Sequence, residues 1–250
     1  MAPTDQGFLS ESLRPRGGIG SGGSPSAGGS PRLLDVHPHG AALKRSPLEA
    51  YLVTDRRLAS EEFLPRLVRR ACEAGVDRIQ IREKDLGGRA LMRLVREIAE
   101  SVEGSRATLF VNDRVDVALA ASAHGVHVGR SGLPPDVVRR VAGEELVIGA
   151  SAHSLEEAIE AQEKGADYVF VGPVFPTVSK AVFGEPLGLS KLEVIVRRLR
   201  IPVYAIGGIT PERLGSLRPL PLTGVAMISA FVSAPSVADL VRQIHGASWR

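Results

Sequence analysis

From Tyr51 onward, short apolar runs and amphipathic stretches alternate with a period of about 25 residues. Tyr51-Leu52-Val53-Thr54-Asp55 is a strand with a polar end, and Phe63 to Ala74 carries helical apolar spacing that Gly75 stops. Arg78 to Arg82 is the next strand and Arg89 to Val102 the next helix. Thr108 to Val111, then Val115 to Ser122, repeat the pair. Gly125 to Val128 is followed by Pro134-Pro135, a helix opening. Leu146 to Gly149 precedes a helix over Leu155 to Lys164, with Ser154 as its cap, Glu157 completing a capping box and Gly165 ending it. Tyr168 to Val171 is a continuous apolar run, the mark of a strand buried on both faces. A long loop separates it from a helix over Leu192 to Leu199. Val203 to Ile206, a helix starting at Pro211 to Leu214, the strand Gly224 to Ile228 and a last helix over Val237 to His245 complete the pattern.

Strand–helix alternation of this kind predicts an α/β fold, a single (β/α)8 TIM barrel over residues 48–250. An open doubly wound sheet is the alternative. That fold needs a glycine-rich turn after its first strand, where this chain has Arg56-Arg57. Residues 1–47 break the alternation. Gly17 to Pro25 and the Ser-Ala-Gly-Gly-Ser-Pro that follows are of low complexity and cannot bury enough apolar surface to offset their ordering entropy. This segment is expected to be a disordered Gly/Ser/Pro-rich tail, or translation from an upstream start. A targeting peptide is the minor alternative, because the arginines and serines lack amphipathic periodicity.

Composition narrows the partners. The chain has 250 residues, 44% of them hydrophobic, the balance of an ordinary globular protein. No apolar run approaches the ~18 residues of a bilayer span, so no membrane partner is expected. The single cysteine, Cys72, lies on a helix face and fits a reducing, cytoplasmic setting. A formal charge of +3 and a pI near 9.3 raise nucleic acid as a partner. The arginines are interleaved with acids, as in Arg69-Arg70-Ala71-Cys72-Glu73, and aromatics are few, so a solvated surface is the better reading. Phosphate-bearing small molecules remain as candidates.

In a barrel the C-terminal strand ends share one mouth. Gln80, Arg82 and Lys84 alternate, and they share the inward face if the second strand continues that far. Two inward cations need an anion. Asp55 or Asp113 would supply one internally; a phosphate or pyrophosphate ligand would supply one from outside, and the other polar strand ends favour the ligand. Asn112-Asp113 end the third strand and suit Mg²⁺ bridging a pyrophosphate, or cap the helix at Val115, or both. Ser151 and His153 share a face after the fifth strand, where His153 either braces the next helix or meets ligand. The segment Gly172 to Lys180 is a loop ending in Thr177, Ser179 and Lys180. Gly207-Gly208 and Ile228-Ser229 follow the last two strands, where barrels often build a phosphate cup from backbone N–H groups.

These motifs, in order, resemble thiamine phosphate synthase and its paralogue, the thiazole tautomerase. They are Gln80-Ile-Arg82-Glu-Lys84, Asn112-Asp113-Arg114, Gly125-Val-His-Val-Gly129, Gly149-Ala-Ser151-Ala-His153, Gly172 to Lys180, Ala205 to Ile209 and Val225 to Ala230. The resemblance spans Tyr51 to about His245. It implies substrates that are a small phosphorylated pyrimidine and a thiazole phosphate. Gln80, Arg82, Lys84 and Asn112 would hold the pyrimidine pyrophosphate, and Asp113 would ligate Mg²⁺. Ser151 would lie near the pyrimidine, Thr177 and Lys180 near thiazole and pyrophosphate, and Gly208, Ile228 and Ser229 around the thiazole phosphate. The synthase's second aspartate ligand is replaced here by Gly132, beside Arg130, which weakens an Mg²⁺ site. The loop over residues 181–188 is also shorter and more apolar than the synthase has. The resemblance leaves three activities: the synthase, with Arg82, Lys84, Ser151 and Lys180 in the chemistry; a metal-free tautomerase with His153 as acid and base; and an inert paralogue that binds thiazole phosphate. A homo-oligomer is compatible with each.

Overall fold

The computed structural model of the chain describes residues 47–58, 63–177 and 185–247. Expectations for the N-terminal tail, for Ser179 and Lys180 and for residues 181–184 therefore lie outside the described residues. Eight parallel strands close into one barrel in chain order, each bonded to the next and the eighth to the first. They are β1 (Glu49–Val53), β2 (Arg78–Ile81), β3 (Thr108–Asn112), β4 (Gly125–Val128), β5 (Val147–Ala152), β6 (Tyr168–Val171), β7 (Val203–Ile206) and β8 (Gly224–Met227). The connecting helices are α1 (Phe63–Glu73), α2 (Gly88–Val102), α3 (Val115–Ala120), α4 (Pro135–Ala142), α5 (Leu155–Glu163) and α6 (Gly188–Arg198). After β7 comes a 3₁₀ turn (Pro211–Arg213) running into α7 (Leu214–Leu217), and after β8 come α8 (Ser229–Ser233) and α9 (Val237–Gly246). The TIM barrel expected from the alternation is the fold.

Two layers of core follow from the period-two pleat. The outward strand positions, such as Leu52, Ile79, Ile81, Leu109, Val111 and Val126, pack under the helices. In α1 the buried positions are Leu64, Leu67, Val68, Ala71 and Cys72, one helical stripe, so Cys72 is a core residue whose thiol burial pushes up in pKa. The inward positions form a separate aromatic cluster of Tyr51, Phe110, Tyr168, Phe170 and Tyr204 with Val53 and Ala226. The Tyr51 ring meets Phe170 edge-on at 4.8 Å and Tyr204 at 5.5 Å. Five large rings fit because their barrel neighbours are glycines. A Cβ on Gly149 would lie 2.1 Å from Tyr168 Cζ, and one on Gly125 2.4 Å from Phe110 Cε1.

Among the helices, the structure differs from the sequence pattern at three places. The sixth helix begins at Gly188, not Leu192, because Leu187 and Gly188 are already anchored by N–H bonds to the Pro173 and Val174 carbonyls. A short helix, α8, follows β8 directly, too brief to show apolar periodicity. The capping box of α5 is displaced: Ser154 Oγ accepts the Glu157 N–H, but the Glu157 carboxylate reaches the His153 N–H at 2.7 Å, one residue before the cap.

Candidate functional site

At the C-terminal end of β2 the strand stops at Ile81, so the alternation through Lys84 is not realised. The cause is Glu83. Its buried carboxylate accepts Thr54 Oγ1 at 2.6 Å and the Arg56 N–H at 2.9 Å, while Thr54 Oγ1 also accepts the Arg82 N–H. Glu83 turns inward to β1, and Lys84 is displaced onto an exposed turn. Burial pushes the Glu83 carboxyl upward, opposed by these hydrogen bonds. Arg82 stays at the mouth, half-buried, with its Nη1 3.9 Å from Asp55 Oδ2. That contact is long because Asp55 is engaged by Arg57 at 2.8 Å, whose hydrogen bond holds its carboxyl below the usual range. The internal anion expected as one partner of Arg82 is therefore shared.

A chain of amides crosses from β2 to β4. Gln80 Nε2 donates to Asn112 Oδ1 at 3.1 Å, and Asn112 Nδ2 donates to Asp113 Oδ2 at 2.7 Å. Asp113 Oδ1 accepts the Gly129 N–H at 2.7 Å. Asp113 adopts φ 59°, a left-handed conformation costly for a side chain other than glycine or asparagine-like groups. Its own N–H is held by the His127 carbonyl. Neither side chain caps α3, whose cap position is Arg114 without a side-chain bond. The carboxylate is spent on the neighbouring loop instead. A Cβ on Gly132 would lie 2.6 Å from Asp113 Oδ1, so the glycine expected to weaken a metal site is also what lets Asp113 sit here. Among the described residues no group of three or more His, Cys, Asp or Glu gathers as a metal site.

Ser151 and His153 stand at the end of β5, on different neighbours. Ser151 Oγ lies 2.9 Å from His127 Nε2. His127 is fully buried on β4, with its ring 4.1 Å from that of Phe170 and its Nδ1 3.1 Å from the Tyr168 hydroxyl. Burial, with the Arg82 charge, lowers its pKa to about 3, so it is a neutral imidazole. The strand-end pattern does not single out this histidine, which lies inside β4. Its signal was register: His127 pairs Asn112 and Gly149, both inward positions. His153 Nδ1 faces Glu157 Oε2 at 3.1 Å. Burial opposes that carboxylate, yet the His153 hydrogen bonds hold its pKa down.

The loops after β6 and β7 pack on each other. Val174 and Phe175 donate their N–H groups to the carbonyls of Ile206 and Gly207, at 3.0 and 3.1 Å. Gly207 and Gly208 have φ of 94° and 66°, and a Cβ on them would lie 2.7 Å from Pro173 Cα and 2.6 Å from the Pro176 oxygen. Only glycine supplies both the positive φ and the close approach. Arg213 Nη1 donates to the Gly208 carbonyl at 2.6 Å and stacks 5.0 Å over Phe175. Thr177 ends the described part of this loop, half-buried, and Lys180 lies beyond it. Ile228 is the cap residue of α8, and Ser229, its first residue, is exposed. Gln80, Arg82, Asn112, Asp113, Ser151, Gly208 and Ile228 thus all sit at the C-terminal ends of parallel strands of one barrel.

No helix among the described residues is long and apolar enough to cross a membrane. Residues 50–231 match the family model for thiamine monophosphate synthase. The thiamine-phosphate synthase of Roseiflexus castenholzii is 43% identical over 194 residues, covering 78% of this chain and 85% of the relative. That of Moorella thermoacetica is 40% identical over 197 residues, covering 79% and 94%. Among solved structures, thiamine phosphate pyrophosphorylase from Pyrococcus furiosus superposes with a TM-score of 0.72 at 38% identity, covering 80% of this chain and 95% of that one. A 3-hexulose-6-phosphate synthase, at 17% identity and TM-score 0.58, shares the fold alone. The match in sequence, in fold and in the order of the strand-end motifs has one reading: the chain belongs to the thiamine monophosphate synthase family.

Proposed function

We propose that this protein joins hydroxymethylpyrimidine pyrophosphate to thiazole phosphate, giving thiamine phosphate and pyrophosphate. The observation that carries the reading is the run of hydrogen bonds from Gln80 through Asn112 to Asp113 at the ends of β2 and β3, with Arg82 following β2 and the Gly207-Gly208 turn following β7 across the barrel. It offers directed amides for a heteroaromatic ring, a cation and a carboxylate for a pyrophosphate, and a glycine turn for a second phosphate.

The chemistry asks little covalent help of the protein. The bond between the pyrimidine methylene and the pyrophosphate oxygen breaks, and its electron pair leaves with the pyrophosphate. The thiazole nitrogen then donates its lone pair to the methylene carbon. Charge develops on the leaving group, where fixed cations in a low-dielectric site act most strongly. Arg82 is the described cation best placed for this, with a planar fork matched to phosphate oxygens. Lys84, on its exposed turn, and Lys180 are assigned to the same leaving group. Gln80 and Asn112 orient the pyrimidine, Ser151 contacts it, Thr177 borders the thiazole side, and Gly208, Ile228 and Ser229 surround the thiazole phosphate.

The donor set fits an Mg²⁺ ion that arrives with its substrate. Asp113 is a single carboxylate whose two oxygens each already accept one hydrogen bond, and Mg²⁺ is commonly held by one or two carboxylates with substrate phosphates completing its shell. Asp113 would hold it, and the ion would neutralise charge on the pyrophosphate.

Purified protein incubated with both substrates should release pyrophosphate only when Mg²⁺ and both substrates are present. No release above background at high Mg²⁺ would overturn the synthase reading. A thiazole tautomerase is the second reading, favoured by one observation: Glu157 holds both the backbone N–H and the Nδ1 side of His153, the arrangement of an oriented acid and base. Metal-free isomerisation of thiazole carboxylate phosphate, lost in His153→Ala, would establish it. A paralogue that only binds would retain thiazole phosphate without turning over either substrate set.

A further inference from the structure

Ser151, His127 and Tyr168 look at first like a nucleophile, a base and its orienting group. The hydrogen count says otherwise. The wire has three links: Ser151 Oγ to His127 Nε2 at 2.9 Å, His127 Nδ1 to Tyr168 Oη at 3.1 Å, and Tyr168 Oη to Tyr51 Oη at 2.8 Å. A neutral imidazole and three hydroxyls bring four hydrogens to three links. One hydrogen is left over, on Ser151, on Tyr168 or on Tyr51.

At the lower end, Tyr51 is fully buried among Phe110, Phe170 and Tyr204, and among the described residues Tyr168 is its only hydrogen-bond partner. Tyr204 is no substitute, since its own hydroxyl is bound to Glu49. A spare hydrogen there, or on Tyr168, whose buried hydroxyl has only Tyr51 and His127 as partners among the described residues, would be a buried, unsatisfied donor, costing about 1–3 kcal/mol. At the upper end Ser151 is half-exposed at the barrel mouth. The links therefore all point upward: Tyr51 donates to Tyr168, Tyr168 to His127 Nδ1, and His127 Nε2–H to Ser151. His127 is fully buried with two neutral hydroxyls as its ring partners, the surroundings of an imidazole that carries a single ring hydrogen.

We propose that Tyr168, backed by Tyr51, is a positioning residue that fixes the Nε2–H tautomer of His127 and so presents Ser151 to the substrate as a hydrogen-bond donor. With Nε2 already protonated, His127 has no lone pair with which to take the serine proton, and Ser151 is not a nucleophile. Its hydrogen selects an acceptor, a ring nitrogen of the pyrimidine substrate over its amino group. The choice of that acceptor rests on the synthase reading; the tautomer does not.

The test is the ring ¹⁵N spectrum of histidine-labelled full-length protein, with Tyr168→Phe beside it. The wild type should show Nε2 protonated and Nδ1 bare, and Tyr168→Phe should shift His127 toward the other tautomer. In the same variant the KM for hydroxymethylpyrimidine pyrophosphate should rise about two- to tenfold, the worth of one hydrogen bond, with the KM for thiazole phosphate unchanged. A wild-type His127 protonated on Nδ1, or a tautomer indifferent to the Tyr168 hydroxyl, would overturn the proposal. If Tyr168→Phe does not fold, the wild-type spectrum decides alone. If the wild type makes no thiamine phosphate, the spectrum still decides the wire, so the two failures are separable.

Discussion

At the scale of single residues, the interior of this barrel is a site where burial sets chemistry. His127 is neutral because the folded state withholds water from it, with a pKa of about 3 against about 6.5 in an unfolded chain. A base with a depressed folded pKa binds its proton more readily when unfolded. Its stabilising contribution is therefore complete above about pH 6.5 and is lost as the pH falls toward 3. Urea denaturation between pH 4 and 8 should show the wild type losing up to about 1.4 kcal/mol more per pH unit below 6 than His127→Asn does. A pH-independent difference between the two would show that His127 is not buried neutral. Space is set as tightly as charge. Gly149→Ala places a methyl 2.1 Å from the Tyr168 ring and should cost about 1–3 kcal/mol or more, read as a lower Tm. An unchanged Tm would mean that the aromatic layer is looser than these contacts imply.

At the scale of elements, the strand ends decide which side chains reach the mouth, and the helices are held by a few polar clasps. Ser154 caps α5 directly below His153, so Ser154→Ala should cost about 1 kcal/mol in chemical denaturation. It should also loosen the Glu157–His153 pair, which the same turn carries. At the opposite end of the barrel Asp77 joins two elements and the turn between α2 and β3. Its carboxylate accepts the Ala50 N–H of β1 at 2.8 Å, His245 Nε2 of α9 at 2.8 Å and the Arg106 guanidinium. Asp77→Ala strands a buried N–H and should destabilise by about 1–3 kcal/mol with little change in kcat, because no mouth residue is involved. A selective loss of activity at unchanged stability would contradict that division of labour. Near Asp77, a second polar cluster holds Arg78, buried over the rings of Phe110, Tyr168 and Tyr204 and bonded to Glu49 at 2.8 Å. Burial works against its charge, but Tyr204 and Glu49 more than offset that and hold its pKa up.

At the scale of the whole molecule, closure leaves no sheet edge, and the barrel begins at its own boundary. Leu48 is fully buried and β1 starts at Glu49, two residues inside the first described position, while the family match starts at residue 50. With the low-complexity composition upstream, removal of residues 2–46 should leave Tm and kcat/KM unchanged. A marked fall in Tm would assign the extension a role in the fold. Truncation past Leu48 should instead lower Tm clearly, since burying a leucine side chain contributes about 1.5–3 kcal/mol of a domain's marginal stability.

The barrel was legible in the chain, because alternating apolar periods and glycine stops are local signals that the eight strand–helix units repeat. The sequence also singled out Gln80, Arg82, Asn112, Asp113 and Ser151 as candidates, because polar residues at the ends of apolar runs are conspicuous. It could not show that Glu83 would turn back to Thr54 and leave Lys84 on the surface. Nor could it show that Asp113 would be spent on Gly129, or that His127 would join Ser151 to Tyr168 and Tyr51. Those outcomes depend on which residues of neighbouring strands face each other. That register, and the burial that fixes where each hydrogen lies, exist only once the barrel has closed.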